Sequence, residues 1–156
     1  MLRTRNLLAI LMLAMFLPTI ASTQAPRAQR PTLEPIAETK LLMEGLAHPN
    51  FKAVDRMLKE EPADVDAWQM ARGQSLLLAE TANLLMLRPP KSAQAEQIWM
   101  TRAMELRDSS AALAKAAAAR DLAKGRGALL GVADSCNRCH ESFRVEVRIR
   151  LADREK

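Results

Sequence analysis

The sequence predicts an all-α protein, an antiparallel four-helix bundle, and three observations carry that reading. From Arg30 onward the chain is rich in Ala, Leu, Met, Glu, Lys and Arg, with slight β-branched enrichment and no Asn-Gly or Gly-Gly hairpin signal. Prolines punctuate it at intervals that suit helix boundaries. Three long stretches carry small or apolar residues at alternating spacings of 3 and 4, the seam of a bundle. A chain of 156 residues, 49% hydrophobic and 26% charged, is one globular domain, which excludes disorder and a multi-span membrane protein. Two cysteines also exclude a disulfide-stapled scaffold.

The first element is a targeting segment. Arg3 and Arg5 form a positive start, residues 7–17 are an unbroken apolar run of eleven, and Pro18 leads into small residues. This is the layout of a secretory signal peptide over residues 1–25, with cleavage after Thr19-Ile20-Ala21 or after Thr23-Gln24-Ala25. The run is shorter than the roughly 20 residues of a membrane span. The mature domain is then 26–156, expected to have no membrane association after cleavage. Loss of Arg3 and Arg5 lowers the formal net charge from +5 to +3, too small for a protein that tracks nucleic-acid phosphates. It suits attraction to an acidic partner.

Pro31 and Pro35 mark the start of a first helix, in which Ile36, Thr39, Met43 and Leu46 are spaced 3, 4 and 3. Pro49 would clash with the carbonyl of Gly45, so a kink is expected there, with the helix continuing through Met57; a separate short helix is the alternative. Pro62 and Asp64 open the second helix, whose seam is Trp68, Ala71, Ser75, Leu78, Ala82 and Leu85, and Pro89-Pro90 close it. Ser92 is the expected N-cap of the third, with Trp99, Ala103, Leu106, Ser110, Leu113 and Ala117 inward. The fourth presents Leu122, Gly125, Leu129, Val132, Cys136, Cys139 and Phe143. Short connections make antiparallel packing at roughly 20° the default. The Ala-rich run 111–119 marks close helix approach and leaves room for a bulky group inside. Val145, Val147, Ile149 and Leu151 alternate with Glu146, Arg148 and Arg150, a strand period without a partner strand; the fourth helix is therefore expected to run to about Val147 and fray.

The chemistry is concentrated in Cys136-Asn137-Arg138-Cys139-His140, a C-x-x-C-H string and the attachment signature of c-type haem. Thiols three positions apart lie on one side of a helical turn and can add to the two vinyl groups of one porphyrin, while the adjacent imidazole binds the iron. A local Cys136–Cys139 disulfide would waste the histidine. A thioredoxin-like pair would need a βαβ setting. Zinc would need Cys136, Cys139, His140 and His48 to converge from opposite ends of the chain.

The stretch VADSCNRCHESFR, residues 132–144, resembles the C-terminal helix of the cytochrome c prime family, whose members carry the haem motif close to the chain end. The resemblance implies a four-helix bundle holding one covalent haem c near the end of the last helix. It makes Cys136 and Cys139 the thioether anchors, His140 the proximal iron ligand, and sets Arg144 near the proximal face. It also implies a first-helix residue over the distal face of the iron, where an apolar side chain leaves the metal open to small gases and a methionine makes a low-spin electron carrier. Met43 falls on the inward stripe of that helix and is the candidate distal ligand, a soft thioether. Met is equally a flexible core filler. His48 is the rival; five residues further on, its ring points roughly 140° around the helix from Met43, so both cannot face the haem. Where the family often has arginine four residues before the distal position, this chain has Thr39, with Lys40 beside it.

Two function classes follow. One is a periplasmic electron carrier with iron held by His140 and Met43. The other is a five-coordinate haem protein that binds or senses NO or CO above His140, its distal pocket formed by Leu42, Leu46 and an unligated Met43. A peroxidase has less to stand on, because His48 is the only spare histidine for acid-base work; the expectation is a haem protein and not an enzyme. Trp68 and Trp99 are expected in the core or against the porphyrin edge. Arg138, Arg144, Arg148, Arg150 and Arg154 form a solvated face, a contact to haem propionates or a docking surface for acidic redox proteins. The family resemblance makes a homodimer possible, since its members often dimerise through their first two helices, but no surface patch in the sequence establishes one; no nucleic-acid partner is expected.

Overall fold

In the computed structural model, residues 32–152 are described; the signal peptide expected over 1–25, and Arg154, lie outside them. Thr39–Leu42, a π-helical turn at Met43–Ala47, and His48–Lys59 follow one another without a break and together form α1. Next come α2 (Val65–Met86), α3 (Ala93–Ala118) and α4 (Leu122–Ser142), and no strand occurs among the described residues. None of these helices is long and apolar enough to cross a membrane.

Pro49 explains the π turn. It has no N–H to donate, and the backbone accommodates it by widening one turn, so that the His48 N–H reaches the Met43 carbonyl five residues back. Asn50 Nδ2 donates to the Leu46 carbonyl at 2.6 Å and satisfies an acceptor in the widened turn. The helix thus passes through Pro49 and ends at Lys59.

The other termini follow local chemistry. Asp64 caps α2, its Oδ1 accepting from the Ala67 N–H at 2.8 Å, and Asp121 caps α4 through the Lys124 N–H at 2.9 Å. Ser92 occupies the N-cap of α3 with extended backbone but makes no side-chain cap. α3 ends in a Schellman turn, with Asp121 N bonding Ala116 O and Arg120 N bonding Ala117 O, both at 3.1 Å, and Arg120 in left-handed backbone at φ 54°. Only residues 119–121 separate α3 from α4, which forces antiparallel neighbours.

All six seam residues of α2 are buried; those of α3 are buried apart from half-buried Trp99, and those of α4 are buried from Gly125 to Val132. α3 packs along both α2 and α4, whereas α1 packs on α2 and meets α4 mainly at one end. That meeting point is Gly125, where an added Cβ would lie 3.3 Å from Leu58 Cδ1; Arg126 ties it down by donating to the Leu58 carbonyl at 2.8 Å and to that of Lys59. Ser75, Thr81, Ser110 and Ser135 are buried within this core; Ser75 and Thr81 satisfy their hydroxyls on carbonyls of their own helix.

Two expectations need correction. α4 ends at Ser142, not near Val147: Val145 N bonds His140 O at 2.8 Å and Arg144 takes left-handed backbone at φ 56°, a second Schellman turn. The alternating residues beyond are irregular chain folded back over α4, with Ile149 and Leu151 packed on the core and Val145 and Val147 exposed. In the first helix the expected inward stripe slips by one residue. Ile36 lies ahead of the helix and is 91% exposed, and Leu42, at 7%, is more buried than half-buried Met43. The cause is the π turn, whose additional residue rotates everything upstream of it relative to Phe51, Val54 and Leu58.

Candidate haem site

Cys136, Asn137, Cys139 and His140 occupy the last turns of α4. At 100° per residue, Cys139, Cys136, His140 and Asn137 lie side by side across about 160° of the helix surface. Cys136 packs on the hydrophobic core, and both thiols are free. Burial, reinforced by the neighbouring Cys139, pushes the Cys136 thiol up to about 12. The Cys139 thiol is also raised by burial, against an opposing pull from Arg102. Both are protonated at neutral pH, unlike the low-pKa thiolate that a thioredoxin-type exchange requires.

His140 is half-buried, and its Nδ1 lies 2.7 Å from the carbonyl oxygen of Val147 in the returning chain. A carbonyl only accepts, so Nδ1 carries the proton and Nε2 presents its lone pair. Two thiols one turn apart and an imidazole with a free Nε2 on the same face form a donor set that fits haem c, with Cys136 and Cys139 to hold the porphyrin and His140 to hold its iron. The zinc arrangement through His48 does not form: among the described residues no three His, Cys, Asp or Glu side chains gather as a metal-ion cage. His48 is exposed and, with Phe51, Lys52 and residues 146–150, lines a cavity of about 470 Å³.

Antiparallel register relates α1 to this face. Leu58 meets Gly125, so fifteen residues up α4 to His140 correspond to fifteen residues back along α1 to Met43. At a common rise of about 1.5 Å per residue the two side chains lie at the same level of the bundle to within about a turn. Met43 is half-buried there and packs against the core, between buried Leu42 and partly buried Leu46.

The remaining residues singled out from sequence have other settings. Arg144 is exposed, and its visible role is the left-handed position that ends α4. Trp68 is buried in the core. Trp99 Nε1 donates to the Leu85 carbonyl at 2.7 Å, and its ring meets Phe143 edge-on, centroids 5.1 Å apart, pinning the end of α4 to α2 and α3. Arg138 and Arg148 form ion pairs, with Glu105 at 3.2 Å and with Glu141 at 3.7 Å.

Sequence reading missed Asn137, Asp55 and Glu105. Asn137 fills an x position of the C-x-x-C-H string, whose identity that signature leaves open. Asp55 stood out only as an acid on the apolar face of Phe51, Val54 and Leu58, where it is buried. Glu105 receives Arg102 Nη1 on both carboxylate oxygens at 2.8 Å and Arg138 Nε at 3.2 Å, and Arg102 also donates to Ser142 at 3.2 Å, so α3 is clamped to the haem-motif turn of α4. The hydrogen bond from Arg102 chiefly, with help from Arg138 and against some desolvation, holds the Glu105 carboxyl below its ordinary range. A depressed folded pKa gives stability that is present above the ordinary value of 4.5 and lost as pH falls through the folded one. Glu105→Gln is expected to flatten the dependence of unfolding free energy on pH below that value and to cost about 1 kcal/mol at neutral pH. Urea titrations of both proteins across the acid range check this; parallel curves would refute it.

No curated protein and no solved structure matches the chain. A family model described as Cytochrome C' matches residues 34–144, which spans all four helices and the C-x-x-C-H string. With the bundle, the free thiol pair and the half-buried His140 agreeing with that match, the chain belongs to the cytochrome c′ family, whose members bind a covalent haem c.

Proposed function

We propose that the chain is an exported electron carrier in which His140 and Met43 take the two axial positions of the haem iron. When bound, haem c supplies a one-electron ferric–ferrous couple. The chain's own contribution is rigidity. Cys136 and Cys139 anchor the group on α4, His140 offers Nε2 with its tautomer fixed, and Met43 offers a soft thioether that favours the reduced state. A ligand pair carried by two helices of one bundle keeps its geometry through a redox cycle. The single observation that supports this is the register from Leu58 and Gly125, which runs from Met43 to the level of His140.

Export to the periplasm is read from the arginines, apolar run and small residues of 1–25. The mature charge of +3, with Arg144 and Arg150 exposed near the end of α4, suits an acidic redox partner. A second reading has its own support. Leu42 is more buried than Met43, which favours an apolar distal wall and a five-coordinate iron open to NO or CO.

Optical spectra of the holoprotein, ferric, ferrous and ferrous with CO, separate the two. Low-spin bands unchanged by CO are the result expected of the carrier. High-spin bands that shift on adding CO would overturn it in favour of gas binding.

A further inference from the structure

Residues 145–152, which follow α4, do not trail into solvent; they are fastened across His140. After the Schellman turn at Arg144 it doubles back, and the Val147 carbonyl accepts from His140 Nδ1 at 2.7 Å. Two residues later Asn137 holds the segment at two points: its Nδ2 donates to the Ile149 carbonyl at 2.9 Å and its Oδ1 accepts from the Ile149 N–H at 2.8 Å. The far end is tied to α1, where the Ala152 N–H donates to buried Asp55 Oδ2 at 3.1 Å, and Ile149 and Leu151 pack on the core. Asn137 stands one helical turn before His140, so the residue that orients the segment and the imidazole it covers share a face of α4.

We propose that residues 145–152 are a proximal strap that strengthens His140 as an iron ligand, and that Asn137, inside the C-x-x-C-H string, is its positioning residue. A histidine whose second nitrogen donates to an acceptor is held in one tautomer and orientation and becomes a more basic ligand. A more basic donor stabilises the ferric state more than the ferrous, so the strap lowers the reduction potential of the bound haem. The segment begins just past residue 144, where the family match ends. The inference rests on His140 as the proximal ligand and holds for either reading of the distal side.

The test is potentiometric titration of holoprotein carrying Asn137→Ala, paired with NMR detection of the His140 Nδ1–H in the diamagnetic ferrous state, with CO added if the iron is five-coordinate. Losing the hydrogen-bond partner that orients a ligating histidine changes metal affinity by about tenfold or more. If that change falls on the ferric state, the potential of Asn137→Ala rises by about 59 mV, the equivalent of tenfold in a one-electron couple. The Nδ1–H, slow to exchange in the unaltered protein, is expected to exchange with solvent in the variant, and Asp55→Ala, which frees only the far end, to shift the potential the same way by less. An Asn137→Ala protein with unaltered potential and a protected Nδ1–H would overturn the proposal. If that variant fails to retain haem, the unaltered protein decides: a protected Nδ1–H sustains the strap, and one exchanging as fast as a free imidazole overturns it. Absence of histidine ligation in the unaltered holoprotein's spectrum would instead mark failure of the haem reading itself.

Discussion

Under the proposed His140–Met43 ligation, Met43→Ala is expected to convert a low-spin holoprotein that ignores CO into a high-spin one that binds it, with a lower reduction potential. The expectation follows from what surrounds the position. Met43 lies level with His140 by register, and its neighbours on the same turn, Leu42 and Leu46, carry no donor atom. His48 has a different setting. It is exposed and lines the cavity beside residues 146–150 of the returning chain, whereas Met43 packs against the core. Under that ligation, removing the thioether leaves the iron with His140 alone, and loss of a soft ligand withdraws support from the ferrous state. Because Met43 is only half-buried, the fold should lose about 1 kcal/mol. Visible spectra with and without CO read the change directly. A variant that stays low-spin would mean that the distal ligand is another residue.

The largest loss of stability is expected from Leu58→Ala, about 3 kcal/mol, with the spectrum of the haem unchanged. Leu58 is 1% exposed and supplies the side chain against which Gly125 sits, so truncation opens a cavity at the one end where α1 and α4 come together. The backbone carbonyls of Leu58 and Lys59 that receive Arg126 remain, so the helices should keep their register. Fifteen residues, about 22 Å, separate this contact from the level of His140. Urea denaturation should show a lower midpoint with an unchanged slope. A loss under about 1 kcal/mol would mean that the contact is loosely packed, and a change of spin state that the two ends of the bundle are coupled.

The seams of α2, α3 and α4 were legible because regular helices bury residues at 3.6-residue spacing, and Trp68, Leu78, Leu113 and Val132 obey that period without interruption. The thiols and imidazole of the haem motif were legible for a similar reason, since their chemistry depends on local spacing alone. What escaped depends on breaks in the period or on distant partners. Gly45 and Pro49 signalled an adjustment in α1, but spacing alone does not reveal that the chain absorbs it with an extra residue in the turn, which is why Leu42 and not Met43 became the most buried side chain there. The alternation from Val145 to Leu151 was discounted for want of a second strand. Its backbone partners are the side chains of Asn137 and His140, with Asp55 holding Ala152 just beyond it, and no periodicity in the segment itself could indicate them.

The widened turn at Met43–Ala47 also separates two kinds of inheritance within one helix. Side chains after it, Phe51, Val54 and Leu58, answer to the bundle interior and are constrained by volume. Those at its start and before it are turned through roughly 100° relative to an uninterrupted helix, and under the proposed ligation by Met43 they answer to what stands beside the iron. Substitutions among residues 39–43 would then explore new coordination chemistry while the fold is conserved by its other half. A single out-of-phase residue would thus make the ligand environment evolvable independently of the scaffold that presents it.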